Sequence, residues 1–376
     1  MLSVPIVRPR AERPERINST VLIVGPFPPP VHGASLVTSL ITERVAERGN
    51  VVVSNISPDN LERGLRYHVT RVFRVFASAW RLVRCSRTAG RGVYMSVAGG
   101  GGILYNIVLL LLARVFGYRI FLHHHSHSYI NCRNQLMALL VWIGGRATIH
   151  ICMCVAMANE LRNVYPKLGV VTILSNAAIV PRGTPSRHPR ETGIRLGHLG
   201  NLFLEKGLDT VIDLFRAICR QGIGGRLLLA GPAPTPESAA IINEAIREFG
   251  DVIEYRGPVY GEAKKLFFRD IDVFIFPSCY HETQPLVIFE AMSSGVPVIA
   301  YARGCIGSDL ANGGGVGIPT DHDFLGTALR VIGEWAEDRE KLERASRAAF
   351  DRAERLREDA QDGLNRLVDL LTVKGN

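Results

Sequence analysis

Short runs of branched apolar residues recur along the chain, separated by longer amphipathic or glycine-containing stretches. In the two halves of the chain the runs lie at 21–24, 51–54, 92–97, 119–122, 149–155 and 170–174, and then at 193–199, 226–230, 252–256, 273–276 and 298–301. Runs of this length are typical of buried parallel strands. Helical stretches separate them, and the strand–helix rhythm restarts at residue 193. The pattern therefore predicts an α/β protein of two domains.

Local composition predicts where these domains begin and end. Residues 1–19 are basic and proline-rich, which predicts a flexible tail. Residues 181–190 are rich in Pro, Arg and Ser and predict a linker between a first domain at 20–185 and a second at 186–345. The alternating charges of the last stretch, 346–376, predict a long helix with solvated faces.

Length and charge narrow the class of protein. A chain of 376 residues with 47% hydrophobic and 21% charged residues is large and apolar enough for two globular cores. The net charge of +9 indicates an anionic partner, which could be nucleic acid, a phospholipid surface or a phosphorylated substrate. Seven cysteines do not form the pattern of a disulfide framework, no signal-peptide core is present, and the apolar run at 103–113 is too short to cross a bilayer. These features predict a soluble protein of a reducing compartment.

The segment at 62–91 combines eight arginines with apolar and aromatic residues. At helical spacing, one apolar stripe consists of Val72, Val75, Phe76, Ala79 and Val83. Such a helix either lies on an anionic membrane surface or packs on the sheet with its arginines in solvent, and both interpretations stay open. No recognisable nucleic-acid module accompanies the charge, so a membrane is favoured over nucleic acid.

The stretch at 277–300 places two acids in a strand-to-helix loop. Glu282 and Glu290 are separated by seven residues, an apolar run precedes them, and Gly295 and Pro297 end the helix that follows. Such loops, at the carboxyl ends of parallel strands, hold ligands. The helix N-terminus favours a phosphate, and an acid along the helix can accept hydrogen bonds from sugar hydroxyls. In the alternative interpretation, Glu282 caps the helix and Glu290 is a solvated surface acid.

Two other predicted strand ends carry candidate residues. After the first strand, Gly33 allows the backbone to approach a ligand at the start of a helix that Ser35 is expected to cap. The fourth strand ends in the histidines of 123–127, which are candidates for hydrogen bonding or proton transfer. Consecutive histidines of a strand point to opposite faces, and no cysteine or acid is near in sequence, so no metal site is predicted.

The stretch at 277–300 resembles the glutamate-x7-glutamate signature of retaining, nucleotide-sugar-dependent glycosyltransferases of family 4. The sequence SSGVPVIA at 293–300 is also typical of that family, and the similarity extends over most of 21–371. It implies the GT-B fold, in which two Rossmann-like domains face each other across a deep cleft and a C-terminal helix crosses back to the first domain. It also implies a nucleotide-diphosphate sugar as donor, with a UDP- or GDP-sugar expected, and no bound metal.

The resemblance also implies roles for individual residues. The catalytic set is His125, Glu282 and Lys206, and the donor-binding set is Glu290, Lys206, Asn201, Gly33, Leu286 and Gly231. Glu282 and His125 would contact the donor sugar, with His123 as the second choice for the histidine. Glu290 would bind the nucleotide ribose, and Lys206 the pyrophosphate. The loop of His32 and Gly33 would face the donor phosphates and the acceptor, and the segment at 302–318 would form a loop on the acceptor side.

Three positions depart from the family pattern. Five residues before the lysine, where the family usually has an arginine, this chain has Asn201, which leaves one cation where two are usual. After the first glutamate, where phenylalanine and glycine are common, it has Gln284 and Pro285. Proline donates no N–H, although it suits the first helical turn, and Leu286 can still donate.

The resemblance therefore implies a retaining glycosyltransferase that moves a sugar to a hydroxyl of a glycan or lipid-linked acceptor, in bacterial surface polysaccharide or glycolipid synthesis. One alternative is a non-catalytic nucleotide-sugar-binding or scaffolding subunit, which Asn201 and Pro285 motivate. Another is an epimerase of the same fold. The expected partners are the nucleotide sugar, the acceptor and an anionic membrane, not nucleic acid. The expected location is the cytoplasm, at the inner face of the membrane.

Overall fold

The first domain contains a parallel six-stranded sheet. The computed structural model describes residues 19–57, 65–88, 90–185 and 193–373. The strands are β1 (Thr20–Gly25), β2 (Asn50–Asn55), β3 (Gly92–Val97), β4 (Arg119–His124), β5 (Ile149–Cys152) and β6 (Val170–Ile173), in the order β2-β1-β3-β4-β5-β6. The helices are α1 (Gly33–Ala46), α2 (Leu65–Cys85), α3 (Ile103–Val115), α4 (Ser128–Asn131), α5 (Gln135–Gly144) and α6 (Val155–Val164). Because the strands are parallel, their carboxyl ends, where ligands bind in sheets of this kind, share one edge.

The second domain repeats this plan. Its strands are β7 (Ile194–Leu199), β8 (Gly225–Ala230), β9 (Ile253–Tyr255), β10 (Val273–Phe276), β11 (Val298–Tyr301) and β12 (Gly315–Ile318), all parallel, in the order β12-β11-β10-β7-β8-β9. The helices are α7 (Leu208–Arg220), α8 (Pro236–Phe249), α9 (Gly261–Arg269), α10 (Leu286–Ser293), α11 (Ile306–Leu310), α12 (Phe324–Glu337) and α13 (Arg339–Thr372). Strands β7 and β10 are central; β10 is fully buried, as its apolar run predicted, and β7 is buried except at Arg195.

Helix α13 returns from the second domain to the first. It packs against α10 and α1, and the Arg119 guanidinium of β4 donates hydrogen bonds of 2.9 Å to the carbonyl oxygens of Leu370 and Leu371. The predicted two-domain α/β fold with a returning C-terminal helix is therefore confirmed. The exact domain limits stay a prediction, since residues 186–192 of the linker region lie outside the described residues. The predicted tail also lies outside them, except for Ser19.

Some local predictions were wrong. His32, not Ser35, is the N-cap of α1: its Nδ1 accepts a hydrogen bond from the Ser35 N–H at 3.3 Å, while Ser35 Oγ accepts from the His32 N–H at 3.0 Å. This reciprocal capping box begins the helix three residues earlier. The predicted strand at 149–155 ends at Cys152, because Cys154 caps α6. The predicted loop at 302–318 contains α11 and the glycine-rich strand β12, whose glycines hide the strand pattern.

Helix α2 has two apolar faces, and the predicted apolar stripe combined residues of both. Val75 and Leu82 are buried against the sheet, so the helix does pack on the domain. The aromatic residues Phe73, Phe76 and Trp80 remain 70%, 69% and 68% exposed. Residues 62–64 and 89 of the predicted segment lie outside the described residues. Within the described chain, no helix combines the length and apolarity needed to cross a bilayer.

Candidate functional site

Loops that follow strands of both sheets line one cleft. A cavity of about 390 Å³, called here the second-domain cavity, lies mainly against loops of the second domain. A cavity of about 420 Å³, called the interdomain cavity, lies between loops of both domains. Gly33, Pro285 and Leu286 line both cavities, so the two volumes are parts of the same cleft.

The N-terminus of α10 points into this cleft. Pro285 is the N-cap, with φ −67° and ψ 129°, and Leu286 and Val287 form the first helical positions. The N–H groups of a first helical turn have no acceptor within the helix and carry its positive dipole. The loop before α10 is held by the carbonyl oxygen of Glu205, which accepts hydrogen bonds from the N–H groups of Cys279 and Tyr280 at 2.8 and 3.0 Å. The helix start therefore keeps a geometry that favours an anion despite the proline.

Lys206 and Glu282, 76 residues apart in sequence, form an ion pair in the cleft. Ser278 Oγ donates a hydrogen bond of 3.0 Å to Glu282 Oε1, and the Lys206 ammonium lies 4.9 Å from the centre of the Tyr280 ring. Gly207, in the left-handed conformation at φ 83°, brings the lysine loop so close to Pro277 that a Cβ atom would overlap with it. The close approach of the backbone at Pro277 therefore explains why a glycine follows Lys206. It places the cation beside the glutamate loop.

Glu290 is paired with a residue that the sequence did not indicate. Its Oε2 lies 2.5 Å from Nζ of Lys264, on α9, and Lys264 lines the second-domain cavity. In sequence, Lys264 and Lys265 look like two surface lysines, and Lys265 is indeed exposed and paired with Glu262. Only the tertiary structure, which places Lys264 and not Lys265 at the Glu290 carboxylate, distinguishes the two lysines.

The histidines at the end of β4 separate into structural and cleft-facing side chains. His123 accepts or donates a hydrogen bond of 2.7 Å with Tyr94 Oη, and His124 contacts Tyr129 Oη at 3.0 Å and His150 at 2.9 Å. His125 lines the interdomain cavity, its ring centre 4.0 Å from that of His123. Neither ring nitrogen of His125 has a hydrogen-bond partner among the described residues. The cleft-facing histidine is the one the sequence favoured.

Burial determines the charge of His125. Loss of hydration, together with the nearby His32, lowers the pKa of His125 to about 3. At neutral pH the imidazole is therefore uncharged, with one N–H donor and one acceptor nitrogen. A group with so low a pKa is a weak proton acceptor. The His125 imidazole is therefore better suited to hydrogen bonding than to general-base catalysis.

The remaining predicted residues lie around the second-domain cavity. Asn201, Gly231, Gly33 and Leu286 all line it. Gly231 has φ 120°, and a Cβ atom there would overlap with the carbonyl oxygen of Gly200, so the two loops approach at backbone distance. His198 also lines the cavity and was missed, because it lies inside an apolar strand; its Nδ1 donates to the carbonyl oxygen of Ile275 at 2.9 Å.

Gln284, where the family pattern differs, joins the two domains. Its Oε1 accepts a hydrogen bond of 2.7 Å from the Asn176 N–H, and its Nε2 donates to the Asp309 carboxylate at 3.0 and 3.1 Å. Its carbonyl oxygen accepts from Asn176 Nδ2 at 2.8 Å. Burial raises the pKa of Asp309 to about 7. The Gln284 side chain, at the position where the family commonly has phenylalanine, is therefore buried between the domains.

A disulfide between Cys154 and Cys305 also crosses from one domain to the other. The two Cα atoms are 6.0 Å apart, and the residues are 151 positions apart in sequence. The sequence interpretation that the cysteines form no disulfide framework missed this bond. It could not be found from spacing, because Cys154 caps α6 in the first domain and Cys305 precedes α11 in the second.

Comparisons with known proteins agree with this architecture. Residues 193–349 match the family model described as "Glycosyl transferases group 1". A GDP-mannose-dependent alpha-(1-6)-phosphatidylinositol dimannoside mannosyltransferase of Mycobacterium tuberculosis is 27% identical over 188 residues, 46% of each chain. A D-inositol 3-phosphate glycosyltransferase of Streptomyces avermitilis is 36% identical over 104 residues, 28% of this chain and 22% of the relative. The matches thus span about half or less of these curated relatives.

Solved structures extend the similarity to nearly the whole chain. Sucrose-phosphate synthase of Thermosynechococcus elongatus superposes with a TM-score of 0.68 at 18% identity, covering 94% of this chain and 99% of that one. Anabaena Alr3699/HepE, solved in complex with UDP-glucose, gives a TM-score of 0.65 at 14% identity over 93% and 99% of the chains. At these identities the likeness shows the fold alone. Residues 193–349 thus match the group 1 glycosyl transferases, and the whole chain has the GT-B fold.

Proposed function

We propose that this protein is a retaining glycosyltransferase that moves a sugar from a nucleotide diphosphate to a hydroxyl of a glycan or lipid-linked acceptor. The observation that carries the proposal is the convergence of an α-helix N-terminus, two lysines and Glu290 around the second-domain cavity. Together these groups match the successive parts of a nucleotide-diphosphate sugar.

In this proposal the donor lies across both cavities. Glu290 accepts hydrogen bonds from the ribose hydroxyls, and the diphosphate lies at the start of α10 near Lys206. Lys264 supplies a second cation at the cavity, where Asn201 carries no charge. The donor sugar then occupies the interdomain cavity beside His125 and Glu282, where uncharged polar groups can bind its hydroxyls.

The proposed chemistry is charge stabilisation at the leaving diphosphate. The bond between the anomeric carbon and the diphosphate oxygen breaks, and its electron pair goes to the diphosphate. The acceptor oxygen bonds to the same face of the sugar ring and releases its proton, which the departing diphosphate can take. The N–H groups at the start of α10 and the Lys206 ammonium stabilise the negative charge where it develops. No step requires a bound metal in this proposal.

The His125 imidazole acts as a hydrogen-bonding group in this reaction. Its low pKa, about 3, keeps it neutral, so it can donate to one sugar hydroxyl and accept from another. Glu282 holds the Lys206 ammonium toward the diphosphate through their ion pair. Closure of the cleft around the donor would exclude water, which otherwise would hydrolyse it.

Calorimetric titration with UDP-, GDP- and ADP-sugars tests the proposal. One nucleotide is expected to bind selectively, because the three bases differ in size and in the hydrogen-bonding groups that they present. Transfer of the labelled sugar to a glycan or lipid-linked acceptor would then distinguish a transferase from an epimerase, which releases an altered nucleotide sugar without an acceptor. If the folded protein binds none of the donors, the transferase proposal fails and the scaffolding alternative, which Asn201 motivates, replaces it.

We further propose that the first domain contacts an anionic membrane from the cytoplasmic side. The exposed aromatic residues of α2 share the helix with arginines, of which Arg84 is exposed, and Arg87, just after the helix, is exposed as well. Apolar residues insert at the lipid boundary while guanidinium groups attract anionic headgroups. This placement would bring the cleft close to a lipid-linked acceptor, and it agrees with a role in surface polysaccharide or glycolipid synthesis.

Substitution of the aromatic residues tests this contact. We expect the triple variant Phe73→Ser, Phe76→Ser and Trp80→Ser to bind vesicles containing anionic lipid at least about tenfold more weakly, since each buried aromatic contributes ~1.5–3 kcal/mol. Co-sedimentation at low salt measures the effect. Tyr260→Ser, at an exposed tyrosine of the second domain, is the matched control. Equal sedimentation of all three proteins would contradict membrane contact through α2.

A further inference from the structure

The disulfide joins the two domains directly beside residues that line the interdomain cavity. The segments of the two domains that face each other there, 125–134 and 278–286, are called here the lips of the cleft. On the first-domain side, Cys154 follows Met153, which lines the interdomain cavity. On the second-domain side, the Cys305 N–H donates to the carbonyl oxygen of Thr283 at 2.8 Å, and Thr283 itself lines the cavity. Each half of the bond is therefore one contact away from the site.

Hydrogen bonds across the same lips are individually weak. Besides the two between Gln284 and Asn176, Thr283 Oγ1 donates to the His125 carbonyl oxygen at 3.1 Å, and Asn131 Nδ2 lies 2.9 Å from His281 Nδ1. Each neutral hydrogen bond contributes about 0.5–1.5 kcal/mol, so thermal motion can break it. A disulfide instead restricts the two Cα atoms to about 4.4–6.8 Å. Without the covalent bond the lips can separate, and with it they cannot.

The placement of the bond also argues for reversibility. Disulfides in reducing compartments are usually transient, catalytic or redox-sensing. The cytoplasmic location belongs to the proposed function, and the inference rests on it at this point. Both sulfur atoms belong to buried residues, Cys154 with 9% and Cys305 with 0% exposure, so an oxidant reaches the two thiols when the cleft of the reduced protein opens, and a dithiol reaches the closed bond only slowly. Opening and thiol chemistry are therefore coupled.

We propose that Cys154 and Cys305 form a reversible thiol–disulfide site that locks the cleft in its closed arrangement when oxidised. A closed lock slows donor entry and product release, so the reduced protein is the faster form. Small-molecule disulfides such as oxidised glutathione are the oxidant, and dithiols are the reductant.

Formation of the Cys154–Cys305 bond by thiol–disulfide exchange takes two successive displacements. One cysteine thiolate attacks the small-molecule disulfide, forms a mixed disulfide and releases one thiolate. The second cysteine thiolate attacks the protein sulfur of that mixed disulfide, closes the Cys154–Cys305 bond and releases the other thiolate. The two cysteines lose two electrons and two protons, and the two released thiols gain them. A dithiol reverses both steps and becomes a cyclic disulfide.

Hydrogen exchange in the full chain tests the lock without requiring the donor to be known. After incubation with reduced or oxidised glutathione, peptide mapping identifies the linked cysteines, and amide exchange is measured at 125–134 and 278–286. We expect the oxidised protein to exchange at these lips at least about tenfold more slowly than the reduced protein. The double variant Cys154→Ser, Cys305→Ser is expected to exchange like the reduced form in both conditions. The control Cys219→Ser, at an exposed cysteine of α7, is expected to respond like the natural chain.

Two results would overturn the lock. In one, mapping finds Cys154 and Cys305 unlinked after oxidation. In the other, the bond forms but exchange at the lips does not change. The comparison of oxidised and reduced natural chain does not depend on how well the variants fold. Because exchange is measured without donor, a failure of donor binding would refute the proposed transferase activity while leaving this test intact.

Discussion

Replacing Lys206 by methionine is expected to lower kcat for sugar transfer by about a hundred- to a thousandfold, the usual effect of removing one preorganised group that stabilises developing charge. The ammonium lies in the cleft beside Glu282 and above the Tyr280 ring. Methionine keeps the length and apolar stem of lysine but removes the charge. The diphosphate would then depart with the N–H groups of α10 as its main stabilisers. Steady-state kinetics with the donor identified by calorimetry measures the change.

The controls for Lys206 separate its chemistry from its structural role. Lys265→Met, at an exposed lysine of α9, is expected to leave kcat unchanged. Removal of Lys206 leaves the Glu282 carboxylate without its cation, so urea unfolding of the variant is needed to account for lost stability. A rise in KM with kcat unchanged would contradict the prediction, because it would mean that Lys206 binds the ground state and transition state equally.

Replacing Glu290 by glutamine is expected to weaken donor binding by roughly tenfold to a hundredfold. Hydrogen bonds to a charged group contribute about 1.5–3 kcal/mol, and glutamine is similar in size but uncharged. The Lys264 ammonium, 2.5 Å from the carboxylate, also loses its partner. Calorimetric titration of the variant and the natural chain with the same nucleotide sugar gives the ratio of dissociation constants.

Two further variants define what Glu290 does. Glu262→Gln, at an exposed acid of the same surface as Lys265, is expected to bind the donor like the natural chain. Lys264→Met shows whether the lysine contributes to binding or only holds the carboxylate. An unchanged dissociation constant for Glu290→Gln would remove this residue from the ribose site.

Much of the fold was readable from local sequence. Strands buried on both faces need continuous apolar runs, and those runs were visible at β1, β4, β7 and β10. The strand, loop and helix end around α10 were also predictable, because their signals occupy consecutive stretches of the sequence. Strand β12 was missed because its glycines provide no apolar pattern, although its neighbour β11 pairs with it over four residues.

The candidate site was only partly readable. Each residue of the predicted catalytic and donor-binding sets except Glu290 lines one of the two cavities, and Glu290 contacts Lys264, which lines one. The partners of these residues were not predictable. Lys264 resembles its exposed neighbour in sequence, and His198 is hidden in an apolar strand. A single polar residue has no periodicity from which its contacts can be inferred.

The sequence by itself determined two parallel α/β domains, the α10 loop with its two glutamates, and a histidine-rich strand end, because all of these depend on neighbouring residues. Tertiary structure alone decided the ion pair of Lys206 with Glu282, the place of Gln284 between the domains, and the bond between Cys154 and Cys305. It also decided that His125 is neutral, since burial, not residue type, lowers its pKa. These features depend on which distant segments meet, and that is set by the packing of two complete sheets across one cleft.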